Sequence, residues 1–215
     1  VGGYILNEIK WKQDVAQIAF DEFKIDGWVR KLGKRNLFRK KLGLLSDQPP
    51  GYMPEFSNGL SIGFFPPSGK TYPVEFFMGG VASYRKSIFD TINFSEYFEG
   101  YGLYEDMDFC LRTSRLGLLY VNTAAQVNHY HEPTGRPNYF KYGKMVIRNG
   151  WYVWRVKYPK HDLKHKFKWL ATAILLTGIR IGNVISTSNR KDALLEGIGR
   201  LSGLISLLYL KPEQK

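Results

Sequence analysis

The sequence predicts an α/β fold that ends in a helical extension, and three observations predict it. The first half alternates short apolar runs with turn clusters rich in Gly, Pro and Ser. A helical apolar pattern at 105–116 follows a glycine-containing loop. From Asn138 onward the pattern is helical almost throughout. The expected division is an α/β part at 1–137 and a basic, aromatic-rich helical extension at 138–215. A chain of 215 residues suits one domain with an appendage. With 44% hydrophobic and 15% aromatic residues it is too apolar to be disordered, despite a formal charge of +12. The single cysteine, Cys110, allows no disulfide within the chain and fits a reducing compartment.

In chain order, residues 1–9 read as a strand. Residues 14–28 read as a short helix or an irregular connection, and 30–54 as a loop carrying a basic run and the turn cluster 46–51. Residues 60–65 suggest a strand closed by Pro66 and Pro67, and 74–78 a second apolar run ending at Gly79–Gly80. Residues 83–92 read as helical, with Ile88 and Ile92 four apart. The clearest helix is 105–116: Met107, Cys110, Leu111 and Ser114 share a face, Asp108 and Arg112 are spaced i,i+4, and Gly117 marks the stop. Residues 118–121 and 125–129 read as two short strands. Pro159, Gly178, Gly182 and the stretch 186–189 divide the helical extension.

Charge is segregated. Arg30, Lys31, Lys34, Arg35, Arg39, Lys40 and Lys41 form a run without an acid, expected as a solvated loop. Between Lys141 and Lys191 the only acid is Asp162. The centre is acidic, with Glu75, Asp90, Glu96, Glu99, Glu105, Asp106 and Asp108. A carboxylate-rich centre with basic ends suits an enzyme site beside a membrane-facing tail better than a nucleic-acid module, and no nucleic-acid motif is present. The apolar tract 169–185 is broken by Arg180 and Asn183, which argues against a spanning helix. The chain opens on a strand-like run with no charged leader and reads as a piece of something longer.

The densest chemistry lies in 100–117. Glu105, Asp106 and Asp108 stand in the first turn of the clearest helix. Acids there stabilise the free N–H groups and the macrodipole whether or not they react. A functional reading gains from three neighbours: the aromatic loop with Phe98, Tyr101 and Tyr104, the small-residue turn at 78–82, and the histidines His129 and His131.

These pieces occur in a familiar order: Phe77-Met78-Gly79-Gly80-Val81-Ala82, then Phe94 to Gly102, then Glu105-Asp106-Met107-Asp108-Phe109-Cys110-Leu111-Arg112, then Gly117, then Val127-Asn128-His129. The set resembles the second, acceptor-side half of a family 2 glycosyltransferase of GT-A fold, close to its rhamnosyltransferase-like and galactofuranosyltransferase-like members of cell-surface polysaccharide synthesis. The resemblance runs over 1–136. It implies that Asp106 is the general base of an inverting transfer from a nucleotide-sugar donor to a glycan or lipid-linked acceptor, and that Glu105 orients the loop or the acceptor. It implies Gly79, Gly80, Tyr101 and Tyr104 lining the substrate site, with Arg112 either beside them or pairing with Asp108. It implies His129 near a Mg²⁺ or Mn²⁺ ion, with Thr134 in the same loop. The family's Asp-x-Asp metal motif has no counterpart before the first strand, so the metal is expected to be held mostly by residues outside this chain.

The extension mixes Tyr139, Phe140, Tyr142, Trp151, Tyr152, Trp154 and Tyr158 with Lys and Arg, and Lys164, Lys166 and Lys168 lead into an apolar helix. Basic residues beside aromatics and an apolar face suit an anionic membrane surface; packing on the core is the other reading. The expected location is cytoplasmic, peripheral at the inner face of the cell membrane. The alternative function is a non-catalytic, membrane-associated scaffold with a degenerate transferase-like half.

Overall fold

The computed structural model describes residues 1–6, 9–13, 17–98, 100–130 and 138–212. Within them the fold is mixed α/β, with five α-helices and two three-stranded sheets. In the first sheet β6 (Leu119–Val127) is central. β1 (Gly2–Ile5) pairs with it in parallel, Gly2 opposite Val121 and Ile5 opposite Val127, and β5 (Thr71–Val74) pairs antiparallel. Pro73 sits in β5, an edge strand, where its missing N–H does no harm. The expected pair of strands at 118–129 is one continuous strand. Thr123 in its middle is fully buried and donates its hydroxyl to the Lys70 carbonyl at 2.8 Å, so a polar residue does not interrupt pairing.

The second sheet has the order β2-β4-β3, from Lys12–Gln13, Trp28–Lys31 and Glu22–Ile25. It replaces the helix or irregular stretch expected at 14–28. β3 and β4 form a hairpin with Ile25 opposite Trp28. Its two turn residues, Asp26 (φ 50) and Gly27 (φ 79), take the left-handed conformations of a type I′ turn. The Asp26 carboxylate accepts hydrogen bonds from Lys70 at 3.0 Å and Tyr72 at 2.7 Å, tying this hairpin to β5; those two donors hold its pKa below the ordinary value.

The basic run is also not a loop. Residues Lys34–Lys41 form α1, with Arg39, Lys40 and Lys41 in its last turn. Two of the run's guanidiniums are buried rather than solvated. Arg30 donates to the Gly63 carbonyl at 2.9 Å and lies 4.2 Å above the Phe64 ring, and Arg39 packs beneath Ser57. Residues 60–65 hold a 3₁₀ turn at Ile62–Phe64 instead of a strand. Within 83–92 only a 3₁₀ turn forms, Lys86–Asp90, because Tyr84, Phe89 and Phe94 close around Phe109.

α2 (Glu105–Thr113) agrees with the expected helix and buries Met107, Phe109, Cys110 and Leu111. α3 (Tyr139–Lys157) begins at Asn138, whose side chain accepts the Lys141 N–H at 2.9 Å. α4 spans Leu163–Ser186 without a break at Gly178 or Gly182, and α5 spans Arg190–Ser206. By length and composition α4 is long and apolar enough to cross a membrane, although Arg180 and Asn183 lie within it.

Two apolar cores form. The first joins Tyr4, Val74, Phe77, Met107, Leu111 and Val121 to Tyr152, Val153 and Val156 of α3. The second sets Ile147, Trp151 and Trp154 of α3 against Trp169 and Ala173 of α4. α3 therefore belongs to both. The Trp154 indole N–H donates to the Glu55 carbonyl at 2.9 Å and the Tyr158 hydroxyl to the Met53 carbonyl at 2.7 Å, fastening the helices to the α/β part.

Candidate functional site

The site is built where α2 begins. Gly79–Val81 form a 3₁₀ turn, and Ala82 makes an isolated bridge with Gly2 of β1. This lays the twin-glycine segment along the sheet and against the first turn of α2. One carboxylate oxygen of Asp106 accepts the Gly79 N–H at 2.9 Å, and the other accepts the Met107 N–H at 2.8 Å. Both oxygens are thereby oriented, and each keeps lone-pair capacity.

Gly79 permits a close approach, while Gly80 has room for a side chain. A Cβ on Gly79 would stand 3.2 Å from the Asp106 Cβ, and one on Gly80 3.7 Å from Cε1 of His129. Asp106, Gly79, Gly80 and His129 thus converge from three separate segments. The two glycines and His129 are exposed and Asp106 is half-buried, so the carboxylate sits at the rim of an open surface.

A second layer fixes this turn to the helix. Cys110 lies one helical turn after Asp106, on the same face. Its thiol donates to the Phe77 carbonyl at 3.8 Å and is 3.1 Å from the Tyr84 hydroxyl. Burial pushes the Cys110 pKa up to about 11. It also pushes the Tyr84 phenol well above its ordinary range, with Cys110 and Asp106 adding to the rise. Tyr84 and Cys110 are the residues that sequence reasoning left without a role. The i,i+4 spacing of Asp106 and Cys110 was the available signal, but nothing in the sequence named Phe77 and Tyr84 as the partners.

The other expected residues are each held by partners within the fold. The Glu105 carboxylate folds back over Gly102, where any Cβ would collide with it, so it braces the preceding loop. Tyr101 packs edge-on against Tyr142 of α3 at 5.9 Å. Tyr104 holds a left-handed φ of 71° at the start of α2, and its ring faces Gly150 of α3. Both tyrosines lie against α3. Arg112 is occupied by Asp108, whose Oδ2 accepts its Nε at 3.0 Å and its terminal nitrogen at 2.7 Å. Asp108 is wholly buried, and desolvation raises its pKa against the opposing pull of Arg112. Withdrawing Arg112 to a substrate would strand that carboxyl, so of the two expected readings of Arg112 the geometry shows the pairing with Asp108. His131 and Thr134 lie outside the described residues.

Among the described residues no three His, Cys, Asp or Glu side chains converge to hold a metal ion. His129 near Gly80 and Asp106 on Gly79 do not make a donor set for Mg²⁺ or Mn²⁺.

Residues 61–134 match the family model described as the N-terminal domain of galactosyltransferase. The matched segment is about a third of the chain, and it contains Gly79, Gly80, Tyr101, Tyr104, Glu105, Asp106, Arg112 and His129. It supports a glycosyltransferase-like domain and, in general terms, glycosyl transfer with a sugar donor and an acceptor. It does not extend to the family 2, rhamnosyltransferase-like or galactofuranosyltransferase-like resemblance. Comparison with curated proteins and with solved structures finds no match. The mixed α/β arrangement of the glycosyltransferase-like domain is compatible with the expected fold class.

Proposed function

We propose that this chain carries the acceptor side of a GT-A-type glycosyltransferase site, in which Asp106 is the general base of an inverting transfer from a nucleotide-sugar to a hydroxyl of a glycan or lipid-linked acceptor. The observation that carries the reading is the Asp106 carboxylate held by the Gly79 N–H at an exposed twin-glycine turn, inside the segment with transferase likeness. An alcohol is a poor nucleophile until its proton is leaving, so a positioned carboxylate is the group that such a reaction needs. The acceptor O–H proton passes to Asp106 as the oxygen bonds to the anomeric carbon. The bond from that carbon to the diphosphate breaks, and the nucleoside diphosphate departs with the electron pair. Gly79 and Gly80 leave room for the acceptor to approach the backbone. His129 lies across Gly80 at the same exposed turn. The test is a panel of nucleotide-sugars scored by thermal shift and by release of nucleoside diphosphate with candidate glycan acceptors. One donor should both stabilise the protein and be consumed. A panel in which no donor binds or turns over would leave the non-catalytic scaffold in its place.

The same proposal puts the chain at the inner face of the cell membrane. Leu194, Ile198, Leu201 and Ile205 form an exposed stripe along α5, and α4 exposes Leu163, Phe167, Ile174 and Ile185. Lys164, Lys166 and Lys168 stand at the start of α4, each adding about 1 kcal/mol of attraction when close to an anionic bilayer. The chain should float with anionic vesicles, float poorly with neutral ones, and be released by high salt. Equal recovery with both vesicle types would remove the electrostatic part of this reading.

A further inference from the structure

Behind α2, on the side that Tyr104 faces, lies a cavity of about 70 Å³ enclosed by α1, the segment 56–59, α3, α4 and α5. Its wall includes Arg35, Arg39 and Arg200 and no carboxylate. Arg39 is only 4% exposed. Its guanidinium donates to the Leu44 carbonyl at 3.3 Å, to Asn36 Oδ1 at 3.1 Å and to Ser57 Oγ at 3.0 Å, all neutral acceptors. Burial lowers its pKa to about 10, with Arg35 adding repulsion, so Arg39 remains a cation at neutral pH. Arg35 is exposed at the mouth. Arg200 shares Glu196 with Arg180, at 2.6 and 2.8 Å, so that cluster also keeps an excess positive charge.

A buried cation without a counter-ion is costly even when hydrogen-bonded, and a ligand that brings the missing negative charge would offset that cost. Guanidiniums are suited to phosphate because their fork matches its oxygens. The rest of the wall is mixed: Ser57, Asn58 and Thr172 are polar, whereas Trp169, Ala173 and Leu176 of α4 and Ile147 of α3 form an apolar patch. The volume is enough for a phosphate-sized group. Outward from the cavity, α4 carries exposed apolar residues such as Ile174.

We infer that this cavity binds a phosphate group carried on an apolar chain, with Arg39 and Arg35 gripping the phosphate and the α4 wall receiving the first carbons of the chain. The inference is independent of the role given to Asp106, because it is read as binding without transfer.

Calorimetric titration of the full chain with dodecyl phosphate, below its micelle concentration, is the test. Binding at one site per chain is expected, with inorganic phosphate at least tenfold weaker and dodecyl maltoside not detected. Arg39→Gln and Arg35→Gln should each weaken dodecyl phosphate at least tenfold, while Asp106→Asn binds like the parent. Arg35 is exposed, so its variant keeps the test valid if Arg39→Gln unfolds, as judged by circular dichroism. Inorganic phosphate binding as tightly as dodecyl phosphate would overturn the apolar-chain assignment. Dodecyl maltoside binding equally well, or Arg35→Gln binding like the parent, would overturn the phosphate assignment.

Discussion

In the complete enzyme, Asp106→Asn should abolish sugar transfer while sparing both the fold and the binding of the nucleotide-sugar. Asparagine keeps the shape of the side chain, and its carbonyl can still accept the Gly79 N–H that the Oδ2 of Asp106 accepts at 2.9 Å. What disappears is the group that takes the acceptor's proton. General-base catalysis contributes on the order of 10²–10⁴-fold, so turnover should fall by that factor. Calorimetry with the donor and the thermal midpoint should stay near the parent values. The side chain is half-buried, and the asparagine NH2 cannot accept the Met107 N–H that Oδ1 accepts, so the substitution gives up one backbone hydrogen bond, about 1 kcal/mol. Turnover near that of the parent would falsify the assignment. A loss of folding along with activity would show a bracing role for the carboxylate instead.

Gly143→Val should give the largest loss of stability. α3 and α5 touch backbone to backbone at two points. A Cβ on Gly143 would run into the Glu196 carbonyl, and one on Gly199 into the Phe140 carbonyl. Neither obstacle is a flexible side chain, so the helices must separate. Separation withdraws Gly203 from Ile147 and disturbs the buried Glu196 that Arg180 and Arg200 share. Overpacking a core commonly costs about 1–3 kcal/mol, and the rigid carbonyl in the way places this case at about 3 kcal/mol or more. Urea unfolding read by circular dichroism, together with early proteolysis of α5, measures it. Gly178→Ala is the control. Its Cβ would meet nothing within 4 Å, in the middle of α4, so it should be neutral or raise stability by up to about 1 kcal/mol. Equal loss in both variants would mean that helix propensity, rather than close approach, is being measured.

What the sequence made legible follows from the range of the interactions involved. α2 could be read because its apolar face, its acids and its stop signal are all local. The convergence of Asp106 with Gly79 and Gly80 was reachable through motif order, and the turn does lie against that carboxylate. The Asp26-Gly27 pair was also a usable signal, but the mixed charge and aromatic content of its strands hid their alternation. The basic run was misjudged because charge count ignores stem length: Arg30 and Arg39 reach inward to carbonyls, rings and hydroxyls. The aims of Tyr101, Tyr104 and Arg112 depended on a left-handed φ, on α3 and on the burial of Asp108, none of which periodicity reports. The α4 glycines were read as breaks because glycine disfavours helix locally. Packing against α5 carries the helix through them, Ile181 of α4 meeting Gly197.

The pairing of β1 with β6 also governs the order in which this molecule can assemble. β1 is synthesised more than a hundred residues before its parallel neighbour, which begins at Leu119. The clasps from Trp154 to Glu55 and from Tyr158 to Met53 close loops of 99 and 105 residues. Most of the chain must therefore be synthesised before its first sheet can be completed. Such late, distant closure makes for slow folding, and a nascent chain with an unmatched strand edge is the form on which chaperones would act.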